Sequence, residues 1–359
     1  MTKIYSLIMA GGSGTRFWPR SKAVKPKQYL NLFGADSLLQ STIKRFSTFT
    51  ATDNIYVVSG KSQAEVLEQQ TTMLPKANLI YEPVGKNTLP CIGLAAMFAE
   101  KENPDGVMVV TPSDHLIEND ELFRDTVLAA VKIADEQNGI VTIGITPTYP
   151  ATGYGYVKTA EDITGSEKIK QFKVEKFVEK PNEETAASYL KQGGFYWNSG
   201  LFVFKISVFL DAVKQFAPAL YSDLRKIQAD LGNPSFEKTL DTIYRAVEGI
   251  SVDYGIMEHA KNIYLVEGNF VWNDLGSWES VYLTAEKDDN GNGGAGESII
   301  IDSKNSYIYS ETGLIALVGL DDVIVVQDGN TTLVCKRDKA EEIKKVVDRL
   351  KAENKNQYL

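Results

Sequence analysis

The sequence predicts an α/β fold, in which a mostly parallel sheet is covered by helices on both faces, followed by a small β-rich domain that ends in a helix. Three observations favour this fold. Strand-like apolar runs alternate with helical segments through the first half of the chain, which is typical of a parallel sheet. A polar, glycine-rich segment follows at 288–296. Beyond it, β-like runs begin every eight or nine residues.

The alternating first half supplies the strands of the sheet and the helices that cover them. The expected strands are Ile4–Met9, Ile55–Ser59, Asn78–Tyr81, Val107–Thr111 and Ile140–Gly144. The expected helices are Leu38–Phe46, Lys61–Gln70, Leu89–Glu102 and Glu121–Asn138. Ligands of such sheets bind beyond the carboxyl ends of the strands. The glycine-rich loop after Met9 and the segment Thr111–Asp114 both lie at that edge, so we expect a ligand site there.

The second half begins with a mixed pattern and becomes β-rich towards its end. Strands are expected at Tyr156–Lys158, Phe172–Phe177 and Leu201–Phe204, and helices fill much of 206–260. The later β-like runs begin near Ser298, Ser306, Leu314, Val323 and Thr331, a rhythm that indicates a meander or one turn of a β-helix. We interpret the glycine-rich segment as a linker, which divides the chain into domains at 1–287 and 295–359.

A final helix is expected to begin at Asp338, where Glu341 completes a pattern like that of a capping box. Its apolar stripe consists of Ile343, Val346, Val347 and Leu350. A short helix is marginally stable alone in water, so this stripe must pack on its own β domain, on the first domain or on another subunit. We expect the tail to support self-association.

The composition limits the classes of function. The chain has 359 residues, of which 43% are hydrophobic and 24% charged, as expected for soluble globular domains. No apolar stretch approaches the ~20 residues of a membrane helix, and the apolar start is too short for a signal peptide. The net charge of −9 argues against nucleic acid as a partner. Two cysteines suit a reducing cytoplasm, and with two histidines any metal is expected to be a hard cation on carboxylates.

The loop Ala10–Arg16, with Lys27 eleven residues further on, is the strongest functional signal. A glycine-rich turn after a strand brings backbone N–H groups close to phosphate oxygens. The first 35 residues also carry six basic side chains and no acidic one: Lys3, Arg16, Arg20, Lys22, Lys25 and Lys27. The loop matches neither a P-loop nor a dinucleotide fingerprint, because the lysine comes too late and the third glycine is missing. We therefore expect another kind of phosphate site.

Two aspartates are candidates for binding a metal. Asp114 follows the apolar run Val107–Val110, and Asp274 lies in the aromatic-rich segment Trp272–Trp278. A carboxylate at the end of a strand, opposite a phosphate loop, is well placed for Mg²⁺. Taken alone, an aspartate after a strand is more often a helix cap.

Nine motifs in order resemble the sugar-nucleotide pyrophosphorylases, and among them the mannose-1-phosphate guanylyltransferases (GDP-mannose pyrophosphorylases). These motifs are Gly11–Arg16, Pro26–Gln28, Glu82–Thr88, Pro112–His115, Gly153–Tyr156, Phe177–Pro181, Trp197–Gly200, Ser251–Tyr254 and Trp272–Trp278. The resemblance spans roughly residues 1–285 and extends more weakly into the β-rich tail. It implies a Rossmann-like (GT-A type) nucleotidyltransferase domain.

The resemblance also implies roles for individual residues. Gly11, Gly12, Gly14, Thr15 and Arg16 would hold the triphosphate of a nucleotide, and Lys27 would neutralise charge around its α-phosphate. Glu82, Asn87 and Thr88 are similar to a strip that reads the nucleobase. Gly153, Glu179, Asn198 and Gly200 resemble the mannose contacts, with Lys180 at the sugar phosphate. Asp114 and Asp274 would bind Mg²⁺, with Arg16 and Lys27 as the catalytic residues and His115 in a structural role.

The expected reaction is transfer of GMP from GTP to mannose 1-phosphate by in-line displacement at the α-phosphorus, with release of pyrophosphate. The resemblance further favours a cytoplasmic homodimer. Three alternatives remain: a pyrophosphorylase for another nucleotide and sugar phosphate, a nucleotide-sugar glycosyltransferase, or a non-catalytic sugar-nucleotide binding protein. The glycosyltransferase is disfavoured because Asp114 stands in Ser113-Asp114-His115 and not in an Asp-x-Asp motif.

Overall fold

The structure is a computed structural model that describes residues 2–12 and 14–359, so Ser13 of the glycine-rich loop lies outside the described residues. Within them the strands are β1 (Ile4–Met9), β2 (Ile55–Gly60), β3 (Leu79–Glu82), β4 (Val107–Pro112), β5 (Leu116–Glu118), β6 (Ile140–Ile145), β7 (Tyr156–Asp162), β8 (Gln171–Val178), β9 (Phe195–Lys205), β10 (Ile263–Gly268), β11 (Val271–Asn273), β12 (Gly293–Ile301), β13 (Tyr307–Val318), β14 (Val323–Asp328) and β15 (Thr331–Lys336). The α-helices are α1 (Leu38–Phe46), α2 (Ala64–Gln70), α3 (Thr88–Glu102), α4 (Asp120–Gln137), α5 (Glu183–Gln192), α6 (Ile206–Phe216), α7 (Pro218–Ala229), α8 (Phe236–Ala246), α9 (Trp278–Thr284) and α10 (Ile343–Ala352).

A nine-stranded sheet, in the order β3-β2-β1-β4-β9-β6-β10-β8-β7, forms the centre of the first domain. β1 runs parallel to β2 and β4, with Ser6 paired with Ile55 on one side and with Val109 on the other. β9 is antiparallel to β4, β6 and β7, with each of which it pairs, and this makes the sheet mixed. The predicted α/β class is confirmed.

Helices cover both faces of this sheet, so its strands are buried on both sides. In β1, Leu7 packs with α3 on one face, whereas Ile8 packs with α1 and α4 on the other, as the alternation of side chains along a strand requires. Both side chains are fully buried. A second, two-stranded sheet pairs β11 with β5 in antiparallel register, so that Asn273 lies opposite Leu116. No helix in the described part of the chain is long and apolar enough to cross a membrane.

The C-terminal part is a four-stranded sheet followed by α10, as predicted. β12, β13 and β14 are parallel, and β15 is antiparallel to β14. The runs expected near Ser306 and Leu314 belong to one strand, β13. The residues of β13 that pair with β12 stop at Tyr309 and resume at Leu314. The parts of β13 before and after this gap therefore resemble two separate strands in the sequence.

The interpretation of 288–296 as a linker is wrong for its second half, because β12 begins at Gly293. The glycines there serve close strand packing. Gly294 has a φ of +150°, and a Cβ on it would lie 1.8 Å from the carbonyl oxygen of Ile308. The division of the chain at 287 and 295 stays a prediction.

The last helix also differs from the prediction at its start. Residues Arg337–Glu342 form a 3₁₀ helix, α10 begins only at Ile343, and neither has a side-chain capping bond. Ile343 and Val347 are buried against Phe17, Trp18 and Trp278 of the first domain as well as against the β domain, whereas Val346 is 38% exposed. Most of the apolar stripe is therefore covered within the chain and does not require a second subunit.

Candidate active site

The glycine-rich loop turns back against the segment that carries Lys27. Gly14 has a φ of +53°, and a Cβ on it would lie 2.7 Å from the backbone nitrogen of Lys27, so a larger residue would separate the two segments. A 3₁₀ turn, Thr15–Phe17, follows and buries Phe17. The amide of Gln28 donates a hydrogen bond to the carbonyl oxygen of Ala10 at 2.8 Å, which ties the two segments together.

Lys27 lies between the two predicted metal ligands. Its ammonium nitrogen Nζ is 2.9 Å from Oδ2 of Asp114 and donates to the backbone carbonyl of Asp274 at 2.5 Å. Its side chain is only 8% exposed. The pairing of β5 with β11 brings the chain after β4 and the chain after β11 to the same place. Lys27 and Asp274, which are 247 positions apart in the sequence, thus meet at the carboxyl end of the sheet.

Opposing effects act on the carboxyl of Asp114. Burial alone would raise its pKa, but the positive charge of Lys27, together with the hydrogen bond from Lys27, outweighs this effect and holds the pKa below its usual value. Burial is also the main reason that the pKa of His115 is lowered. His115 accepts a hydrogen bond at Nδ1 from the indole N–H of Trp272 at 3.2 Å. Asp114 is therefore a carboxylate at neutral pH. The imidazole of His115 lies beside it and is held in place by Trp272.

Asp274 is oriented by Tyr154, whose hydroxyl donates to Oδ1 at 2.8 Å. Burial, together with the charge of Asp274, raises the pKa of Tyr154, so this hydroxyl stays protonated and remains a donor. Among the described residues, no group of three or more acidic, histidine or cysteine side chains could hold a metal by itself. Two carboxylates on one cavity wall nevertheless suit Mg²⁺, which commonly takes one or two protein carboxylates and completes its shell with substrate phosphates and water.

Two adjoining cavities collect most of the predicted site residues. The first has a volume of about 290 Å³ and is called the phosphate cavity after the loop predicted to bind phosphate; it is lined by Gly14, Thr15, Arg16, Lys27, Asp114 and Asp274 among others. The second has a volume of about 180 Å³ and is called the sugar cavity after the predicted sugar contacts; it is lined by Thr88, Gly153, Glu179, Lys180, Asn198 and Gly200 among others. His115 and Asp274 line both. Gly11 and Gly12 are exposed and line neither.

Asn198 organises the sugar cavity. Its Oδ1 accepts hydrogen bonds from the hydroxyl of Thr142 at 2.9 Å and from the backbone N–H of Gly200 at 3.3 Å, and its Nδ2 donates to Asp253 at 3.0 Å. Gly200 has a φ of +73°, a conformation that favours glycine. Glu179 forms an ion pair with Lys180. The cavity wall thus combines carboxylates, an amide and one ammonium group, a set that suits a hydroxylated anion.

Asp253 and Tyr154 belong to this site, although no role was predicted for either. Asp253 lines the sugar cavity on a π-helical turn, Asp253–Met257. Burial, reinforced by the nearby charge of Glu179, raises the pKa of Asp253 to about 6. Both residues stand in motifs that carried the resemblance, Ser251–Tyr254 and Gly153–Tyr156, and this was the available signal. Tyr154 also directly follows Gly153, for which a sugar contact was predicted.

The expected base-reading residues do not come together at one cavity. Thr88 lines the sugar cavity and accepts a hydrogen bond from the backbone of Val252 at 2.8 Å. Asn87 is exposed and caps α3, with its side chain accepting from the backbone of Thr88. Glu82 is buried and accepts a hydrogen bond from the hydroxyl of Tyr244 in the protein interior. Their role in reading a base stays a prediction.

Glu82 makes the stability of the fold depend on pH. Burial raises its pKa from 4.5 to about 7, although the hydrogen bond from Tyr244 acts in the opposite direction. A raised carboxyl pKa stabilises the folded state fully below pH 4.5, and this contribution is lost as the pH rises to about 7. Glu82→Gln removes the titration, so we expect it to be more stable than the wild type at pH 8 by up to about 3 kcal/mol.

Thermal unfolding of both proteins between pH 5 and pH 8.5 measures this difference, with Glu65→Gln, an exposed glutamate on α2, as the matched control. The same loss of Tm with pH in the wild type and in Glu82→Gln would contradict the assignment.

Comparisons with known proteins show the family to which the chain belongs. A family model described as nucleotidyl transferase matches residues 5–291, and one described as a MannoseP isomerase/GMP-like β-helix domain matches residues 296–350. The chain is 37% identical to a mannose-1-phosphate guanylyltransferase of Salmonella montevideo over 99% of its own length and 76% of the relative. It is 36% identical to one of Escherichia coli K12, over 99% and 75%.

A solved structure is similar over nearly the whole chain. It is described as mannose-1-phosphate geranyltransferase from Thermus thermophilus, with a TM-score of 0.88, 29% identity, and coverage of 97% of this chain and 99% of that chain. The β-helix match explains the parallel pairing of β12, β13 and β14, which a meander would not show. The chain therefore belongs to the nucleotidyl transferase family and, within it, to the mannose-1-phosphate guanylyltransferases.

Proposed function

We propose that the protein transfers GMP from GTP to mannose 1-phosphate, which yields GDP-mannose and pyrophosphate. The observation that carries this proposal is the cluster of Lys27, Asp114 and Asp274 where the phosphate cavity adjoins the sugar cavity. A nucleoside triphosphate in one cavity and a sugar phosphate in the other would meet at this cluster. The names of the relatives supply the identity of the two substrates.

The residues act mainly by positioning two anions and neutralising their charge, as phosphoryl transfer requires. Lys27 and Arg16 place positive charge beside the α-phosphate and the departing pyrophosphate. Asp114 and Asp274 would hold Mg²⁺, which when bound would supply positive charge next to the reacting phosphates. Asn198 and Glu179 orient the sugar, and its phosphate oxygen attacks the α-phosphorus in line. This oxygen is ionised at neutral pH, so the attack needs no general base.

The proposed cytoplasmic location is supported by Cys91 and Cys335, which are both free thiols. A homodimer is supported by the β domain more than by α10. Exposed apolar side chains lie along β12 and β13, namely Ile299, Ile301, Leu314 and Val318, each at least 48% exposed. Contiguous exposed apolar patches of this kind mark contact surfaces.

A grid of four nucleoside triphosphates against several sugar 1-phosphates, with Mg²⁺, tests the function. We expect GTP with mannose 1-phosphate to give the highest kcat/KM, measured as release of pyrophosphate. A tenfold or greater preference for UTP or dTTP would reject the guanylyltransferase assignment while leaving the reaction class intact. Transfer of the sugar from a nucleotide sugar to an acceptor hydroxyl, with release of the nucleoside diphosphate, would support the glycosyltransferase alternative instead.

A further inference from the structure

The C-terminal domain reaches the phosphate cavity at Arg16. Nε of Arg16 lies 2.6 Å from Oε2 of Glu341, which belongs to the 3₁₀ helix between β15 and α10. Arg16 lines the phosphate cavity together with Lys27. A residue of one domain thus contacts a proposed phosphate-binding side chain of the other. Glu341 has no role in the reaction described so far.

Three further contacts join the same loop to the C-terminal domain. The indole N–H of Trp18 donates to the backbone carbonyl of Tyr358 at 2.8 Å. Lys22 forms an ion pair of 3.0 Å with Asp328. The guanidinium of Arg20 lies 4.0 Å from the centre of the Tyr309 ring. The backbone that follows Arg16 is therefore held against the domain that carries Glu341, so the two residues are kept near each other by more than their own attraction.

Glu341 approaches the guanidinium group of Arg16 at Nε. We expect phosphate to bind at the outer end of this group, because a guanidinium binds phosphate best through two parallel N–H donors. Arg16 and Glu341 are 51% and 63% exposed, so the ion pair adds little to folding stability. Its effect belongs to binding, because an arginine already held in one orientation loses less conformational freedom when a ligand arrives.

We propose that Glu341 is a positioning residue, through which the C-terminal domain orients Arg16 for the triphosphate of the nucleotide. This inference rests on the proposed function, since it concerns the same phosphate cavity. Glu341 touches no reacting atom itself. The β domain would then complete the nucleotide site in addition to any structural role.

The test compares Glu341→Ala, Glu341→Gln and the control Glu342→Ala. Glu342 lies on the same turn but pairs with Lys339 and Lys345. We expect Glu341→Ala to raise the KM for GTP by about 3–10-fold, the scale of about 1 kcal/mol of orientation, with the KM for mannose 1-phosphate and Tm unchanged. Glu341→Gln should retain most of the affinity, because its amide oxygen is an acceptor that can interact with the guanidinium group of Arg16.

A double-mutant cycle separates positioning from a general effect of charge. In an Arg16→Ala background, Glu341→Ala is expected to have no further effect on GTP. The proposal is overturned if Glu341→Ala behaves like Glu342→Ala, if it lowers the KM for GTP, or if its effect persists without Arg16.

Calorimetric binding of GTP with Mg²⁺ to the same variants distinguishes this inference from the proposed function. If the wild type binds GTP but releases no pyrophosphate, the proposed function is rejected. In that case the Kd for GTP of Glu341→Ala relative to that of the wild type still decides the role of Glu341. A wild type that binds no GTP would overturn both.

Discussion

Replacing either Asp114 or Asp274 with asparagine is expected to reduce kcat/KM by about 10³-fold or more, because several kcal/mol of charge stabilisation depend on the bound cation. An amide keeps the shape of the side chain but loses the negative charge that retains Mg²⁺. The fold should persist, since both residues lie at the wall of a cavity and not in the hydrophobic core.

Titration with Mg²⁺ is the decisive measurement for these variants. We expect the residual activity of each to require a much higher Mg²⁺ concentration than the wild type. Asp125→Asn, an exposed aspartate on α4, is the matched control. A variant that keeps the Mg²⁺ dependence of the wild type would show that the replaced aspartate is not a ligand.

Lys27→Ala is expected to lower kcat/KM by about 10²–10³-fold, the effect of removing one preorganised donor to a developing charge. Lys25→Ala provides the control, because Lys25 lies in the same segment but is exposed. Single-turnover measurements at saturating GTP separate the loss in the chemical step from a loss in binding. Near-normal turnover of Lys27→Ala, or an equal loss in Lys25→Ala, would refute the phosphate role.

The structure also predicts that Lys27→Ala is less stable than the wild type. The sequence did not suggest this, because Lys27 lies in a loop rich in charged residues, where substitutions usually change stability little. Lys27 is buried, and its removal leaves the partly buried carboxylate of Asp114 without its ion-pair partner. Leaving a buried polar group unpaired costs about 1–3 kcal/mol. The double variant Lys27→Ala/Asp114→Asn should recover part of the lost Tm, because the unpaired charge is then absent.

The sequence correctly predicted those strands and helices whose bounds depend on residues close together in the sequence. The bounds of β1 and α1 agree with the prediction, since β1 is an uninterrupted apolar run and α1 begins at a capping box formed by Ser37 and Gln40. The same type of signal failed at Asp338. Glu341 fits the pattern of a capping box, but it pairs with Arg16, a residue far away in the sequence. Local propensity does not include such a competing partner.

The site was predictable where its residues follow strands, and less so elsewhere. Asp114 and Lys27 meet because both lie beyond the carboxyl ends of neighbouring strands. Tyr154 contacts Asp274 across 120 positions, and Asp253 contacts Asn198 across 55, through loops whose course the sequence pattern does not specify. Glu82 also stands at the carboxyl end of a strand, but its side chain points into the protein interior, where it accepts a hydrogen bond from Tyr244.

The position of β9 in the sheet has a consequence for how the protein folds. β3, β2, β1 and β4 come from residues before 113, and β6, β10, β8 and β7 come from residues after 139. β9 is hydrogen-bonded to both β4 and β6, so it joins these two halves. The binding site spans the same junction, so we expect it to form only once both halves of the sheet have paired with β9.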